Sequence, residues 1–227
     1  MRHHVRMVSR YVVTGANRGL GLEFAKRLLE QGHEVIATSR DGIVGAPGAR
    51  VEALDVAEPA SVAAFAERLG GLPIDVLLNN AGRQYRVGAV EEIDFDEMAD
   101  VFNVNAFGPL RVTRALLPNL RAGSDRRVIH VSTRMGSFGE FEGGGMYGYR
   151  ASKAALNMLH RCLAEELAGE GFLCVAFHPG WVRTDMGGSD ATLSIEESVA
   201  GMLAVLDGLS PEQHGAFLNY DGTPLPW

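Results

Sequence analysis

The sequence predicts an α/β fold: a doubly wound, seven-stranded parallel sheet with helices on both faces. Three observations carry this. Short apolar runs of strand length alternate along the whole chain with stretches of helical period, an order that requires parallel strands joined by right-handed crossovers. The first apolar run, Tyr11-Val12-Val13, passes straight into Thr14-Gly15-Ala16-Asn17-Arg18-Gly19-Leu20-Gly21 and then into a helical pattern, which reads as strand, glycine turn, helix. The composition does not shift anywhere in the 227 residues, so one domain spanning 1–227 is expected, with a single continuous core.

Composition narrows the function classes. With 46% hydrophobic and 22% charged residues the chain has the make-up of a soluble globular protein, and no apolar run approaches the ~18–20 residues that a membrane helix needs. A formal charge of -7 argues against a surface that tracks nucleic-acid phosphates. An anionic ligand must then find local positive charge. Cys162 and Cys174 have neither disulfide density nor metal-site spacing, and both are expected to be buried and reduced; the seven histidines are scattered, so no metal site is expected. Met1 to Arg10 is basic without a signal-peptide core. Residues 1–8 are read as a flexible extension, and a cytoplasmic location is the default.

The elements follow in order. Gly21, Phe24, Ala25 and Leu28 recur at helical spacing and Gly32 ends the pattern. Val35-Ile36-Ala37-Thr38 is a buried strand ending at Ser39-Arg40, Val51 to Leu54 the next, Pro59 to Leu69 a helix, and Asp75 to Leu78 a fourth strand carrying Asn79-Asn80-Ala81-Gly82. Arg83 to Asp96 has no sustained period and reads as a loop with a short turn. A long helical region follows, in which Gly108-Pro109 predicts a kink near Asn105. Arg127 to Val131 is the fifth strand, with Ser132-Thr133-Arg134-Met135-Gly136 at its end. The glycine-rich run from Ser137 to Met146 reads as a rim or lid. A helix opened by Tyr149 is expected to bury Leu156, Leu159, Leu163 and Leu167. Leu173 to Phe177 is the sixth strand, Thr184 to Ser194 a polar loop, Ile195 to Leu206 a helix and Gly215 to Leu218 the seventh strand, with Trp227 plugging the core.

Two stretches carry chemistry. Glycines let the first turn come close to a ligand, and the free amides and dipole of the helix that follows suit an anionic pyrophosphate. The spacing departs from the usual dinucleotide fingerprint, with three residues between the first two glycines, and a plain turn would satisfy it too. The second stretch is Tyr149 and Lys153, four residues apart. On a helix they stack on one face, and an ammonium beside a phenol favours the phenolate, which brings a group that ionises near pH ~10 closer to use at neutrality. Tyrosine and lysine at this spacing also occur on solvated helices.

Together these motifs resemble the short-chain dehydrogenase/reductase superfamily over almost the whole chain. The resemblance includes Asn79-Asn80-Ala81-Gly82, Asn103-Val104-Asn105, the segment ending at Gly136, Tyr149 with Lys153, and Pro179-Gly180. His178 to Met186 and the ending Asn219 to Trp227 are most similar to small bacterial C-factor proteins and their carbonyl-reductase relatives. The resemblance implies a Rossmann-like sheet of strand order 3-2-1-4-5-6-7, NADP(H) as cofactor, and reduction of an aldehyde, ketone or quinone with reversible alcohol oxidation. It implies Tyr149 as general acid/base and Lys153 as its partner, which also grips the nicotinamide ribose. Asn105 would hold a water that links the lysine to solvent. Thr133 falls where the family keeps a catalytic serine; threonine has the same hydroxyl, but its methyl group restricts the rotamer and narrows the pocket.

For the cofactor, the resemblance assigns Gly15, Asn17, Arg18, Gly19, Leu20 and Gly21 to the phosphates, and Asp55 and Val56 to adenine. Asn80, Ala81 and Gly82 allow close approach, Pro179 and Gly180 turn beneath the cofactor, and Val182 and Thr184 hold the nicotinamide amide. At the end of the second strand an acid would bond the ribose 2′-hydroxyl; Ser39 stands there instead, and Arg40, with Arg18 available, suits a 2′-phosphate. Relatives pair through two long helices, which implies a homodimer or homotetramer. The alternative is a dinucleotide-binding signalling protein of C-factor type with little turnover.

Overall fold

Seven strands run parallel in one sheet of order β3-β2-β1-β4-β5-β6-β7, as the sequence predicts. The computed structural model describes residues 8–227, so the expected extension over 1–8 lies, apart from Val8, outside the described residues. The strands are β1 Arg10–Val13, β2 Glu34–Ser39, β3 Arg50–Ala53, β4 Val76–Asn79, β5 Arg127–Val131, β6 Leu173–His178 and β7 Ala216–Asn219. The helices are α1 Gly19–Glu30, α2 Pro59–Leu69, α3 Phe95–Phe102, α4 Gly108–Ala122, α5 Tyr147–Leu167 and α6 Ile195–Asp207.

A sheet covered on both faces must be apolar on both, and the period of two along each strand deals its residues to two cores. Val13, Ala37, Leu78, Ile129 and Phe177 pack with Phe24 and Leu28 of α1 and Val199, Met202 and Leu203 of α6. Val12, Ile36, Leu77, Val128 and Cys174 pack on the other face with Phe65 of α2, Leu116 of α4 and Leu163 of α5. Strand order turns outward in both directions from the β1–β4 junction, and this opens a crevice above the carboxyl ends of the strands.

Local chemistry sets the helix ends. Pro59 opens α2 at a position where its missing amide costs nothing, and Ser194 and Glu197 close a capping box at the start of α6. Asp94 caps α3, so the stretch expected as a loop holds the start of a helix as well as a short turn at Val90–Glu92. The kink expected near Asn105 is a π turn over Asn103–Phe107, one residue wider than an α turn, leading into α4 with Pro109 in its first turn.

Three expectations about burial need correction. Cys174 is buried but Cys162 is exposed, because the inward stripe of α5 runs through Tyr149, Lys153, Leu156, Asn157, His160 and Leu163 and leaves position 162 on the outer side. Leu159 is accordingly only half-buried. Trp227 is half-buried too, stacked on Phe217 at 5.2 Å with the Arg161 guanidinium 5.9 Å from its ring, so it covers the edge of the core instead of plugging it.

Candidate active site

The crevice is a cleft of about 1590 Å³, room enough for a dinucleotide and a small second reactant. Its floor at one end is the turn from β1 to α1. Gly15 has φ +65°, and a Cβ there would lie 2.9 Å from the Cα of Ala81; one on Gly21 would lie 2.2 Å from the Gly15 carbonyl oxygen. These two glycines let the turn fold onto itself and onto the end of β4. At Gly19, with φ +54°, the nearest atom to an added Cβ is the Thr184 methyl at 3.8 Å, so this glycine faces the cleft. No side chain caps the first turn of α1 and no acidic residue stands in it, which leaves the helix start suited to a phosphate.

Asn80 ties β4 to this turn. Its amide donates to the carbonyls of Thr14 at 2.9 Å and Gly15 at 3.1 Å, whereas Asn79 points to α4 and donates to Thr113. The tie to the glycine turn is made by Asn80 and not by Asn79, because strand alternation sends Asn79 into the layer beneath.

At the end of β2 the Ser39 hydroxyl donates to Asp41 at 2.7 Å and accepts the Ile43 amide at 2.9 Å. The Ser39 hydroxyl and the Ile43 amide lower the pKa of the Asp41 carboxyl, so this acid is folded back into its own turn. Arg40 is left exposed, with no ion pair among the described residues, and lines the cleft with Asp55 and Val56.

The other end is built on α5 and β5. Lys153 is 5% exposed and its Nζ donates to the Val131 carbonyl at 2.8 Å. Tyr149, one turn earlier, is 8% exposed and lines the cleft beside it. Asn105 is fully buried in the π turn, where its Oδ1 accepts the Arg83 amide at 2.8 Å and its Nδ2 donates to the Arg83 carbonyl and to Ser152. A methyl group on Gly82 would sit 3.3 Å from Asn105 Oδ1 and 3.8 Å from Lys153 Nζ, so Gly82 keeps a gap that both groups border. The Thr133 hydroxyl accepts the Met135 amide at 3.2 Å and retains its own proton to offer.

Burial moves both titratable groups, the phenol against expectation. It pushes the Tyr149 phenol up to about 12 and the Lys153 ammonium down to about 8. In place of the expected acidification, removal from water penalises the phenolate and raises the phenol. Lys153 directs its bond at the Val131 carbonyl. At neutral pH the pair is a protonated phenol beside a largely protonated amine.

Most of the predicted positions come together on the cleft wall: Gly15, Asn17, Arg18, Gly19, Leu20, Ser39, Arg40, Asp55, Val56, Asn80, Ala81, Gly82, Tyr149, Lys153, Pro179 and Thr184. Gly21, Asn105, Thr133, Gly180 and Val182 are not among the lining residues, whereas Ser132, the neighbour of Thr133, is. Gly180, at φ +81°, packs so closely that a Cβ would lie 2.3 Å from Leu193.

Residues 10–192 match the short chain dehydrogenase family. The chain belongs to that family. It is 54% identical over 164 residues to the C-signal of Myxococcus xanthus, covering 72% of this chain and 99% of that protein. It is 35% identical over 229 residues to the 1-hydroxy-2-glutathionyl-2-methyl-3-butene dehydrogenase of Rhodococcus sp., covering 97% and 100%. Among solved structures, NADPH-bound carbonyl reductase from chicken fatty liver superposes with a TM-score of 0.89 at 37% identity, over 97% of this chain and 99% of that one.

This short chain dehydrogenase also has site-supporting residues that sequence reasoning missed. Ser132 donates to Asn157 at 2.6 Å, and Asn157 donates to the Gly136 carbonyl at 3.2 Å. These bonds clamp the turn that carries Thr133 onto α5. The spacing 149, 153, 157 held the clue, since Asn157 continues the face of the reactive pair. Deeper along the same seam, His130 and His160 meet Nδ1 to Nδ1 at 3.0 Å, both buried.

Proposed function

We propose that this short chain dehydrogenase reduces an aldehyde, ketone or quinone carbonyl with NADPH, and runs the reverse oxidation with the same groups. The observation that carries the reading is the buried Tyr149 with Lys153 at the end of a cleft whose other end is a glycine turn with no cap from Arg18. The residues fit the cofactor: Gly19 leaves room at the start of α1, and Arg40, with no ion pair among the described residues, offers a guanidinium on the cleft wall for a 2′-phosphate. NADPH, when bound, supplies a hydride. Tyr149 donates a proton to the carbonyl oxygen as negative charge grows on it, and Thr133 gives a second hydrogen bond. Lys153 adds positive charge next to the phenol, and Asn105 orders the route by which the proton is replaced.

The test is a carbonyl panel with each dinucleotide. Consumption of NADPH, and much less of NADH, is expected with at least one aldehyde, ketone or quinone. Arg40→Ala should raise the KM for NADPH by about tenfold or more, the worth of a charge-assisted bidentate contact, while moving the KM for NADH little. Equal effects on both dinucleotides would remove Arg40 from the 2′-phosphate. The identity with C-signal favours a second reading, a dinucleotide-binding signalling protein, which tight NADPH binding without turnover across the panel would select.

A further inference from the structure

Arg18 and Asp185 form an ion pair that joins the glycine turn to the segment after β6, and both side chains line the cleft. The segment is built to present that carboxylate. Thr184 Oγ1 accepts the Gly187 amide at 3.0 Å and the Thr184 carbonyl accepts the Gly188 amide at 2.9 Å, which makes a tight turn with Asp185 on its rim. Arg86 holds the same turn from the opposite side, donating to the Met186 carbonyl at 2.6 Å. Asp185 makes no bond to any side chain but Arg18 among the described residues. Among the described residues Arg18 likewise has no other anionic partner.

Arg18 precedes Gly19, the residue that opens the uncapped start of α1. The guanidinium therefore stands at the place where an anionic cofactor enters, and it is already engaged by a carboxylate that belongs to the protein. Arg18 meets Asp185 through Nη1 and Oδ2 alone, and a phosphate that draws the guanidinium fork into a bidentate contact competes with that bond. A displaced Asp185 is a negative charge left at the edge of a phosphate site.

We infer that Asp185 restrains the affinity for NADP(H) by competing with a cofactor phosphate for Arg18, and that cofactor entry releases the turn at 184–188 from the glycine turn. This rests on the NADP(H) reading. The released turn keeps its Arg86 strap, so it stays attached to the segment after β4. Both charges are well exposed, at 67% and 78%, and the effect is correspondingly modest.

The experiment measures dissociation constants for NADPH and NADH by fluorescence titration in the full chain, in Asp185→Asn, in Arg18→Gln and in the double variant, at low and at high salt. Asp185→Asn keeps the side chain's size and removes its charge. It should bind NADPH about three- to tenfold tighter, a gain that shrinks as salt screens the charges and that disappears in the Arg18→Gln background. A larger gain for NADPH than for NADH identifies the 2′-phosphate as the anion that Arg18 takes, and equal gains identify the pyrophosphate; either supports the competition. Unchanged or weaker NADPH binding in Asp185→Asn overturns it, as does the same gain with Arg18 already removed. If the unaltered chain binds neither dinucleotide, the cofactor reading falls and the competition with it, a result distinct from tight binding that ignores Asp185.

Discussion

Tyr149→Phe is expected to lower kcat for NADPH-dependent carbonyl reduction by about 10²- to 10⁴-fold, the range that a positioned general acid contributes. The substitution is clean because the ring is 8% exposed and packed at the start of α5, while its hydroxyl has no hydrogen-bond partner among the described residues. Removing that oxygen leaves no protein group unsatisfied and opens no cavity larger than one atom. The melting temperature and the dissociation constant for NADPH should therefore stay near those of the unaltered chain while turnover collapses. Lys153→Met would differ, since it takes away the bond to the Val131 carbonyl as well as the charge. A Tyr149→Phe enzyme with turnover within a few-fold of normal would show that the proton comes from elsewhere. The hydroxyls at the strand end, on Ser132 and Thr133, would then be the groups to examine.

The reading from sequence succeeded where the determining chemistry is local. Pro59 marks the start of α2, and Gly15, Gly19 and Gly21 announce a turn that no other residue could make, so the cleft floor was legible before any coordinate. Strand ends moved by one or two residues, as at β3, because the last ladder bond belongs to the neighbouring strand. What stayed hidden depends on residues distant in the chain. Asn157 and His160 gain their roles only when Ser132 and His130, 25 and 30 residues away, are seen to face them. The Arg18–Asp185 pair spans 167 positions and leaves no local signal. The pKa of Tyr149 failed for a different reason. Spacing gave the proximity of Lys153, but the sign of the shift is decided by burial, and four residues of sequence do not reveal how much water reaches a side chain.

His130 and His160, both buried, and the half-buried His178 make a second large effect: stability should fall steeply between pH 7 and 5. Burial, reinforced by the Lys153 charge, takes His130 down to about 3, and burial with Arg134 beside it takes His178 to about 4. Burial takes His160 well below its ordinary value, with His130, Arg161 and His214 adding to the effect. Above pH ~6.5 these rings are neutral in the folded and unfolded chain alike and contribute no pH dependence. Below it the unfolded chain binds protons that the folded chain refuses, so the folded state loses stability as pH falls, until the folded pKa values are reached. At pH 5, about 1.5 pH units under the unfolded value, His130 and His178 each cost about 2 kcal/mol relative to pH 7, together about 4 of the 5–15 kcal/mol typical of a folded domain. Carboxylates titrate mostly below this window, which isolates the histidines. Urea unfolding at pH 7.5, 6 and 5 should show the midpoint dropping at each step, with the drop reduced in His178→Asn, where a neutral side chain of similar polarity has no proton to take up. A midpoint that stays level from pH 7.5 to 5 would mean that these rings reach water in the folded protein, and the seam between β5 and α5 that carries Lys153 would then be wetter than its packing indicates.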